Sequence, residues 1–254
     1  MTSSEVWDEE TAQRYDATSA EMFAPHVLEP AVDFLARLAG TGPALEFAVG
    51  TGRVAVPLGA RGDPVTGIEL SAPMLAQLRR KADEATLPVL IGDMTTTRAP
   101  GEFSLVYLVW NSISNLRSQA EQVECFRNAA RHLRPGGRFV IELWVPPLRR
   151  LPPGAPAVPM SIGDGHLVFD TYDLATQQCT SHHYWRQADR QHAVRVRPLP
   201  LHLAGRMRSD GQAGRDGTRR PVRRLARQFL HCRQPEPHLC LAQAPRPPEL
   251  VLRR

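Results

Sequence analysis

Between residues 29 and 145 the apolar residues keep changing their spacing, and each change marks a change of element. Residues 29–38 (EPAVDFLARL) set Val32, Phe34, Leu35 and Leu38 at helical intervals, with Gly40 as a C-terminal stop. The apolar run 44–49 (ALEFAV) then reads as a strand, ends in Gly50-Thr51-Gly52, and gives way over 53–58 to helical spacing. Residues 65–70 (VTGIEL) repeat the extended pattern, and Ser71 caps a helix carrying Met74, Leu75 and Leu78 on one face. Two more strands follow at 88–91 and 103–110. The second (FSLVYLVW) is almost continuously apolar, as a strand covered on both faces must be. Ser118 and Glu121 make a capping box for a helix through Val123, Phe126, Ala129, Ala130 and Leu133. Arg134-Pro135-Gly136-Gly137 ends that helix, and 139–145 (FVIELWV) is a fifth strand.

Strands alternating with helices predict an α/β fold: a Rossmann-like, doubly wound, mostly parallel sheet with helices on both faces, since parallel neighbours need helical crossovers. Ligands in such sheets bind at the carboxyl ends of the strands. That rule points to the turn at Gly50, to Glu69, to Asp93 and to residues 109–112. Gly50-Thr51-Gly52-Arg53-Val54-Ala55 satisfies the G-x-G-x-x-G/A fingerprint, and Glu69 lies 17 residues beyond Gly52, where a carboxylate can accept the hydroxyls of a ribose. On this pattern alone, a dinucleotide and an adenosine-containing cofactor both fit.

The surrounding residues separate the two. Leu45-Glu46-Phe47-Ala48-Val49-Gly50-Thr51-Gly52-Arg53 resembles the first motif of class I S-adenosylmethionine-dependent methyltransferases. The resemblance continues through Gly67-Ile68-Glu69-Leu70-Ser71-Ala72-Pro73-Met74-Leu75, Gly92-Asp93-Met94 and Leu133-Arg134-Pro135-Gly136-Gly137-Arg138-Phe139. Four motifs stand in the family's order. With a stretch around Arg14-Tyr15-Asp16 that looks like the family's cofactor-covering segment, they span roughly residues 10–145.

The resemblance implies S-adenosyl-L-methionine as cofactor. Gly50 and Gly52 would admit its methionyl part, and Glu46 would support the loop and the ammonium group. Glu69, beside Leu70, would bind the ribose, and Asp93 would accept from the adenine amino group with Met94 against the ring. Tyr15 would cover the site, and Val109, Trp110 and Asn111 would line the path to the sulfonium, the last two on the acceptor side. The activated methyl group needs mainly an aligned nucleophile, so no catalytic residue is assigned. Ala48 stands where the family usually has its first glycine. A Cβ at positive φ there costs on the order of 1 kcal/mol, and the reading preferred from sequence is that Ala48 simply extends the strand.

Rival functions have weaker support. Glu46 within the first strand and the lack of a recognisable Tyr-x-x-x-Lys set disfavour a nicotinamide-dependent oxidoreductase. Asn111 is followed by Ser112-Ile113-Ser114 and not by the Pro-Pro-aromatic motif of amino-DNA methyltransferases, which favours a small-molecule acceptor. A folded but inactive or binding-only relative is the alternative if the C-terminal region has changed.

Beyond residue 145 the pattern changes. Residues 146–159 (PPLRRLPPGAPAVP) read as a Pro-rich connection, and 166–173 with 180–185 as two antiparallel strands joined near 175–178, able to cover a substrate. His182 and His183 are adjacent on a strand, hence on opposite faces and poorly placed to share a metal. Three regions are expected: a cofactor-binding core over 1–145, a connection and β-hairpin over 146–186, and a basic tail over 187–254.

The net charge of +5 on 254 residues is uneven. The tail carries 15 Arg against five acidic residues, a net +10 that leaves −5 on the first 186 residues. It also holds 8 of the 23 Pro and no Ile, Tyr or Trp, so it is poor in strand and core formers. An out-of-frame reading of a G+C-rich coding sequence would produce this composition. The rival is a basic arm, 219–227 (RRPVRRLAR), that binds phosphates, although nucleic acid is not the expected partner. Four Cys without a CxxC argue against a zinc site or disulfide scaffold, so no metal is expected. The absence of a long apolar run or signal-like start leads to the expectation of a cytoplasmic protein without membrane contact. Oligomeric state is left open.

Overall fold

A computed structural model describes residues 7–144, 154–155, 157–163, 165–174, 176–186, 192–200 and 238–243. Helices α1 (Glu9–Thr18), α2 (Pro25–Ala39), α3 (Ala55–Gly59), α4 (Ala72–Leu78) and α5 (Gln119–His132) alternate from residue 44 onward with strands β1 (Ala44–Phe47), β2 (Val65–Glu69), β3 (Val89–Ile91), β4 (Phe103–Leu108) and β5 (Leu133–Leu143). Helix α2 starts four residues earlier than its apolar spacing indicates, because Pro25 suits a first helical position, and it ends as expected at Gly40 with φ 63°. Ser71 accepts from Met74 N at 3.2 Å, and the capping box forms, Ser118 and Glu121 each accepting from the other's backbone.

These strands make a sheet in the order β5-β4-β1-β2-β3, all parallel, and β10 (His238–Gln243) adds an antiparallel strand beside β5. Alternate residues of each strand feed two cores. Leu105 and Tyr107 of β4 join Val32, Leu35 and Leu58 on one face, while Val106 and Leu108 join Phe47, Phe139 and Ala129 on the other. The doubly wound architecture follows from that two-sided burial. The strand order reverses between β1 and β4, which opens a crevice at their carboxyl ends.

A second sheet, β6-β7-β8-β9, is antiparallel throughout: β6 (Ala157–Gly163), β7 (His166–Asp173), β8 (Gln178–Arg186) and β9 (His192–Pro200). The expected hairpin is its centre, and Gln177 makes the turn with φ 55°. In this sheet two boundaries differ from the sequence reading, and in the first sheet Leu133, expected in the helix, begins β5. Residues 157–159 belong to β6 and not to the connection; Pro159 is accommodated because β6 is an edge strand and its register shifts between Pro159 and Ser161. The sheet also continues past residue 186 into β9. Few aromatics do not prevent a strand where the pattern alternates, and HAVRVRPLP alternates. Residues 146–153 and the arginine run at 219–227 lie outside the described residues. No helix among the described residues is long and apolar enough to cross a membrane.

Candidate active site

The carboxyl end of β1 supplies the first wall. The strand stops at Phe47 and Ala48 turns away with φ 52°, so Ala48 does not extend it as the sequence reading preferred. The reason is the turn that follows: Gly52 N donates to Val49 O at 3.0 Å, and the chain must enter that turn left-handed. Gly50 (φ 58°) and Gly52 (φ 80°) continue the turn, but for different reasons. A Cβ on Gly52 would lie 2.8 Å from Val56 Cγ2 and 3.1 Å from Leu78 Cγ, so its smallness serves interior packing. Gly50 lines the crevice, and a Cβ there would meet only Met74 Cε, at 3.4 Å.

Two acidic residues serve this corner. Glu69, at the end of β2, accepts from Gly50 N at 2.7 Å through Oε2 and from Ser71 N at 2.8 Å through Oε1, tying the β1 and β2 loops together. Burial raises its pKa, and those backbone N–H groups oppose the rise. Each oxygen keeps lone-pair capacity toward the crevice it lines. Glu46 lies behind the corner and is not among the lining residues. It accepts from Tyr107 Oη at 2.9 Å and from the Ala55 backbone N–H. Burial pushes its pKa up to about 8, against the lowering effect of Tyr107 and Arg53. Burial thus favours the protonated form of Glu46, and its position gives it no face on the crevice.

Asp93 and Met94 line the third side. Asp93 Oδ1 accepts from Thr95 N and Thr95 Oγ1, both at 2.7 Å, which holds the carboxylate and leaves Oδ2 to the crevice. The N-terminal segment closes the top. Tyr15 packs edge-on against Trp7, centroids 5.5 Å apart, and both line the crevice. Trp7 O accepts from Ser71 Oγ at 2.7 Å. The next residue, Asp16, accepts from Thr51 Oγ1 at 2.6 Å and pairs with Lys81, which also donates to Thr51 O at 2.9 Å. Lys81, the sole lysine of the sequence, therefore pins α1 to the glycine loop.

The end of β4 forms the remaining wall. The strand stops at Leu108. Val109 is 7% exposed and packs in the core, not on the crevice as its motif position implies. Trp110 (φ 57°) and Asn111 (φ 55°) are then consecutive non-glycine residues in the left-handed region, each at a cost of roughly 1–2 kcal/mol. Glu142 on β5 holds them. Its Oε2 accepts from Trp110 N at 2.8 Å and its backbone O from Asn111 N at 3.1 Å, while Asn111 Oδ1 accepts from Trp144 N at 3.2 Å. Arg53, next to Gly52, reaches across: its guanidinium lies 3.8 Å from Glu142 Oε2 and 5.4 Å from the Trp110 ring centroid. Trp110 and Asn111 both line the crevice, and Trp110 is 39% exposed.

On the antiparallel sheet His182 and His183 diverge. His183 stacks with Trp185 and His166, while His182 Nε2 lies 3.0 Å from Thr171 Oγ1 on the other face. Neither histidine lines the crevice.

A family model described as a methyltransferase domain matches residues 44–137, the segment that supplies every lining residue named above except Trp7 and Tyr15. The chain is 26% identical over 189 residues to the cypemycin N-terminal methyltransferase of a Streptomyces species, covering 71% of this chain and 75% of that one. It is 38% identical over 100 residues to the dTDP-3-amino-3,6-dideoxy-alpha-D-glucopyranose N,N-dimethyltransferase of Streptomyces fradiae, covering 39% of this chain and 38% of that enzyme's length. Among solved structures, the CcbJ methyltransferase from Streptomyces caelestis superposes with a TM-score of 0.62 at 29% identity, covering 72% of this chain and 76% of CcbJ. The chain carries a methyltransferase domain of the class I S-adenosylmethionine-dependent type.

S-adenosylmethionine is therefore the cofactor of this methyltransferase, and the residues present suit it. A carboxylate with spare acceptor capacity (Glu69), a second with one open oxygen (Asp93) and a glycine at the loop tip match a ribose, an exocyclic amine and a close backbone approach. Of the residues expected at the site, Tyr15, Ala48, Gly50, Glu69, Leu70, Asp93, Met94, Trp110 and Asn111 come together on the crevice; Glu46, Gly52 and Val109 stand behind it. Sequence reasoning missed Trp7, Lys81, Arg53 and Glu142. The signal for Glu142 was a lone acid within the apolar run FVIELWV, since a charge in a two-sided strand needs a buried partner.

Proposed function

We propose that this methyltransferase alkylates an amine nitrogen of a small-molecule acceptor, with an amino sugar as the leading class. The observation that carries the reading is the Trp110–Asn111 corner, a half-exposed aromatic and a fixed amide at the mouth of the crevice that Glu69 and Asp93 line. In this reading Glu69 holds the ribose and Asp93 the adenine amino group. Tyr15 and Trp7 cover the bound cofactor, whose positive sulfur supplies an activated methyl group for in-line displacement. Among the described residues, the titratable ones on the crevice are Tyr15, Glu69 and Asp93. An amine that has lost its ammonium proton to water needs no protein base, whereas a hydroxyl does, so this lining suits a nitrogen acceptor. The relatives support the same chemistry: one is named for a peptide N-terminus and another for an amino sugar, both nitrogen acceptors.

Titration calorimetry with S-adenosylhomocysteine, with NAD as control, tests the cofactor side. Micromolar binding that weakens at least tenfold in Glu69→Ala is expected. A panel of nucleotide-linked amino sugars, N-terminal peptides and their hydroxyl counterparts, read by mass spectrometry for added methyl groups, tests the acceptor. Product on amino sugars alone supports the reading, product on peptides would move the acceptor class, and product only on hydroxyls would overturn the amine assignment.

A further inference from the structure

The cofactor loop and the acceptor corner are joined by two buried charged residues to which the motifs assign no role. Arg53 is 9% exposed and follows Gly52 of the glycine loop; Glu142 is 7% exposed and comes from β5, on the other side of β4. They meet under Trp110: Glu142 Oε2 accepts from Trp110 N at 2.8 Å and lies 3.8 Å from Arg53 Nη2, while the guanidinium carbon sits 5.4 Å from the indole centroid. Arg53 also donates to Met22 O at 3.4 Å, in the turn that follows α1. Trp110 is thereby held through its backbone by one charge and through its ring by the other, in a left-handed conformation that persists only when its surroundings impose it.

We propose that Arg53 and Glu142 are positioning residues for the acceptor: they set Trp110 as its platform and tie that platform to the glycine loop. This rests on the reading of Trp110 as an acceptor contact. Three features favour it over a merely structural pair. The side chain they hold is one of the few large apolar residues of the α/β body left exposed, and it is exposed on the crevice. The strain falls on Trp110 and Asn111, the two residues that face the acceptor, where glycine would relieve it. And the guanidinium already lies over the indole ring, so a second positive charge is less welcome there. The platform then suits the C–H face of a saturated ring whose amine is neutral, which is the nucleophilic form.

The test uses the whole chain. Tryptophan emission and acrylamide quenching are recorded for wild type, Glu142→Ala, Glu142→Gln and Arg53→Met, each also in a Trp110→Phe background that isolates the Trp110 signal. A red shift and at least twofold stronger quenching of Trp110 in Glu142→Ala, partly rescued in Glu142→Gln, are expected. If circular dichroism shows Glu142→Ala unfolded, Arg53→Met carries the same readout. A Trp110 signal unchanged in folded Glu142→Ala or Arg53→Met would overturn the positioning role. With an amine from the panel that wild type methylates, Arg53→Met should raise KM tenfold or more while kcat stays within threefold and S-adenosylhomocysteine affinity within threefold; an unchanged KM would overturn the link to the acceptor. Should wild type bind S-adenosylhomocysteine and methylate no amine, the amine reading fails and the acceptor half of this proposal falls with it, while the fluorescence comparison still decides whether Arg53 and Glu142 hold the corner.

Discussion

Two corners at the carboxyl edge of the sheet turn left-handed, and each stands on a buried glutamate, yet they are built in opposite ways. The β1 corner uses glycine at 50 and 52 and has Glu46 behind it, which burial drives toward the neutral form against the hydrogen bond from Tyr107. The β4 corner places tryptophan and asparagine in the same backbone region and rests on Glu142, paired with the buried Arg53. The first corner leaves its backbone open to the crevice at Gly50, where a close approach by the cofactor needs no side chain. The second, in the proposed reading, presents side chains to an acceptor, so it keeps them and meets the strain with a charged buttress. The comparison separates two uses of a buried carboxylate: a proton holder where burial outweighs the pull of Arg53, and an anchor where the same guanidinium lies 3.8 Å away.

Removing the charged buttress should have the larger effect. Glu142→Ala strips the acceptor from Trp110 N and leaves Arg53 buried without its partner, and the loss of one member of such a pair costs about 3 kcal/mol or more. Urea unfolding followed by circular dichroism at neutral pH would show it as a lower midpoint with an unchanged slope. A loss below about 1 kcal/mol would mean that the strained corner does not depend on Glu142.

The neutral buttress should respond to pH. Because Glu46 has its pKa raised from 4.5 to about 8, the folded protein holds a proton that the unfolded chain releases across that interval. Stability from this group is therefore complete below about pH 4.5 and is lost as pH rises toward 8, by a few kcal/mol in all. Glu46→Gln keeps an oxygen for Tyr107 Oη and removes the titration. The stability difference between variant and wild type should move in favour of the variant by about 2 kcal/mol or more from pH 5 to pH 8. A pH-independent difference would show that Glu46 is ionised in the folded state. Contributions from other groups, such as His132, whose burial lowers its pKa, cancel in the comparison.

How much of this was legible in the sequence depends on whether the determining interaction was local. The strands and the caps at Ser71 and Ser118 follow from spacing and from residues three apart, and all of them form. The crevice was legible because parallel-sheet topology places Gly50, Glu69, Asp93 and Trp110 at one edge whatever the details. What escaped depends on contacts across the chain. Arg53 and Glu142 are 89 positions apart, and the Asp16–Thr51–Lys81 clasp joins three elements. Val109 sits in an apolar run that reads the same whether its side chain meets ligand or core. The C-terminal region misled for a different reason: overall composition was weighed above the two-residue alternation that makes 192–200 a strand.

The smallest effect separates the corners most sharply. Ala48 enters the β1 turn at φ 52° with no side-chain hydrogen bond to offset its Cβ. Ala48→Gly should therefore stabilise the protein by about 1 kcal/mol, less the extra entropy that glycine gives the unfolded chain. Asn111 has nearly the same φ, 55°, but its Oδ1 holds Trp144 N at 3.2 Å. Asn111→Gly relieves the same strain and forfeits that bond, worth about 1 kcal/mol, so its net change should lie close to zero. Thermal or urea unfolding of both variants beside wild type reads the difference directly. A gain at position 48 without one at 111 would show that the β1 corner merely tolerates its side chain whereas the β4 corner uses it. Equal gains at both would mean that Asn111 contributes nothing to holding the acceptor wall, and the asymmetry between the corners would then rest on Trp110 and Glu142 alone.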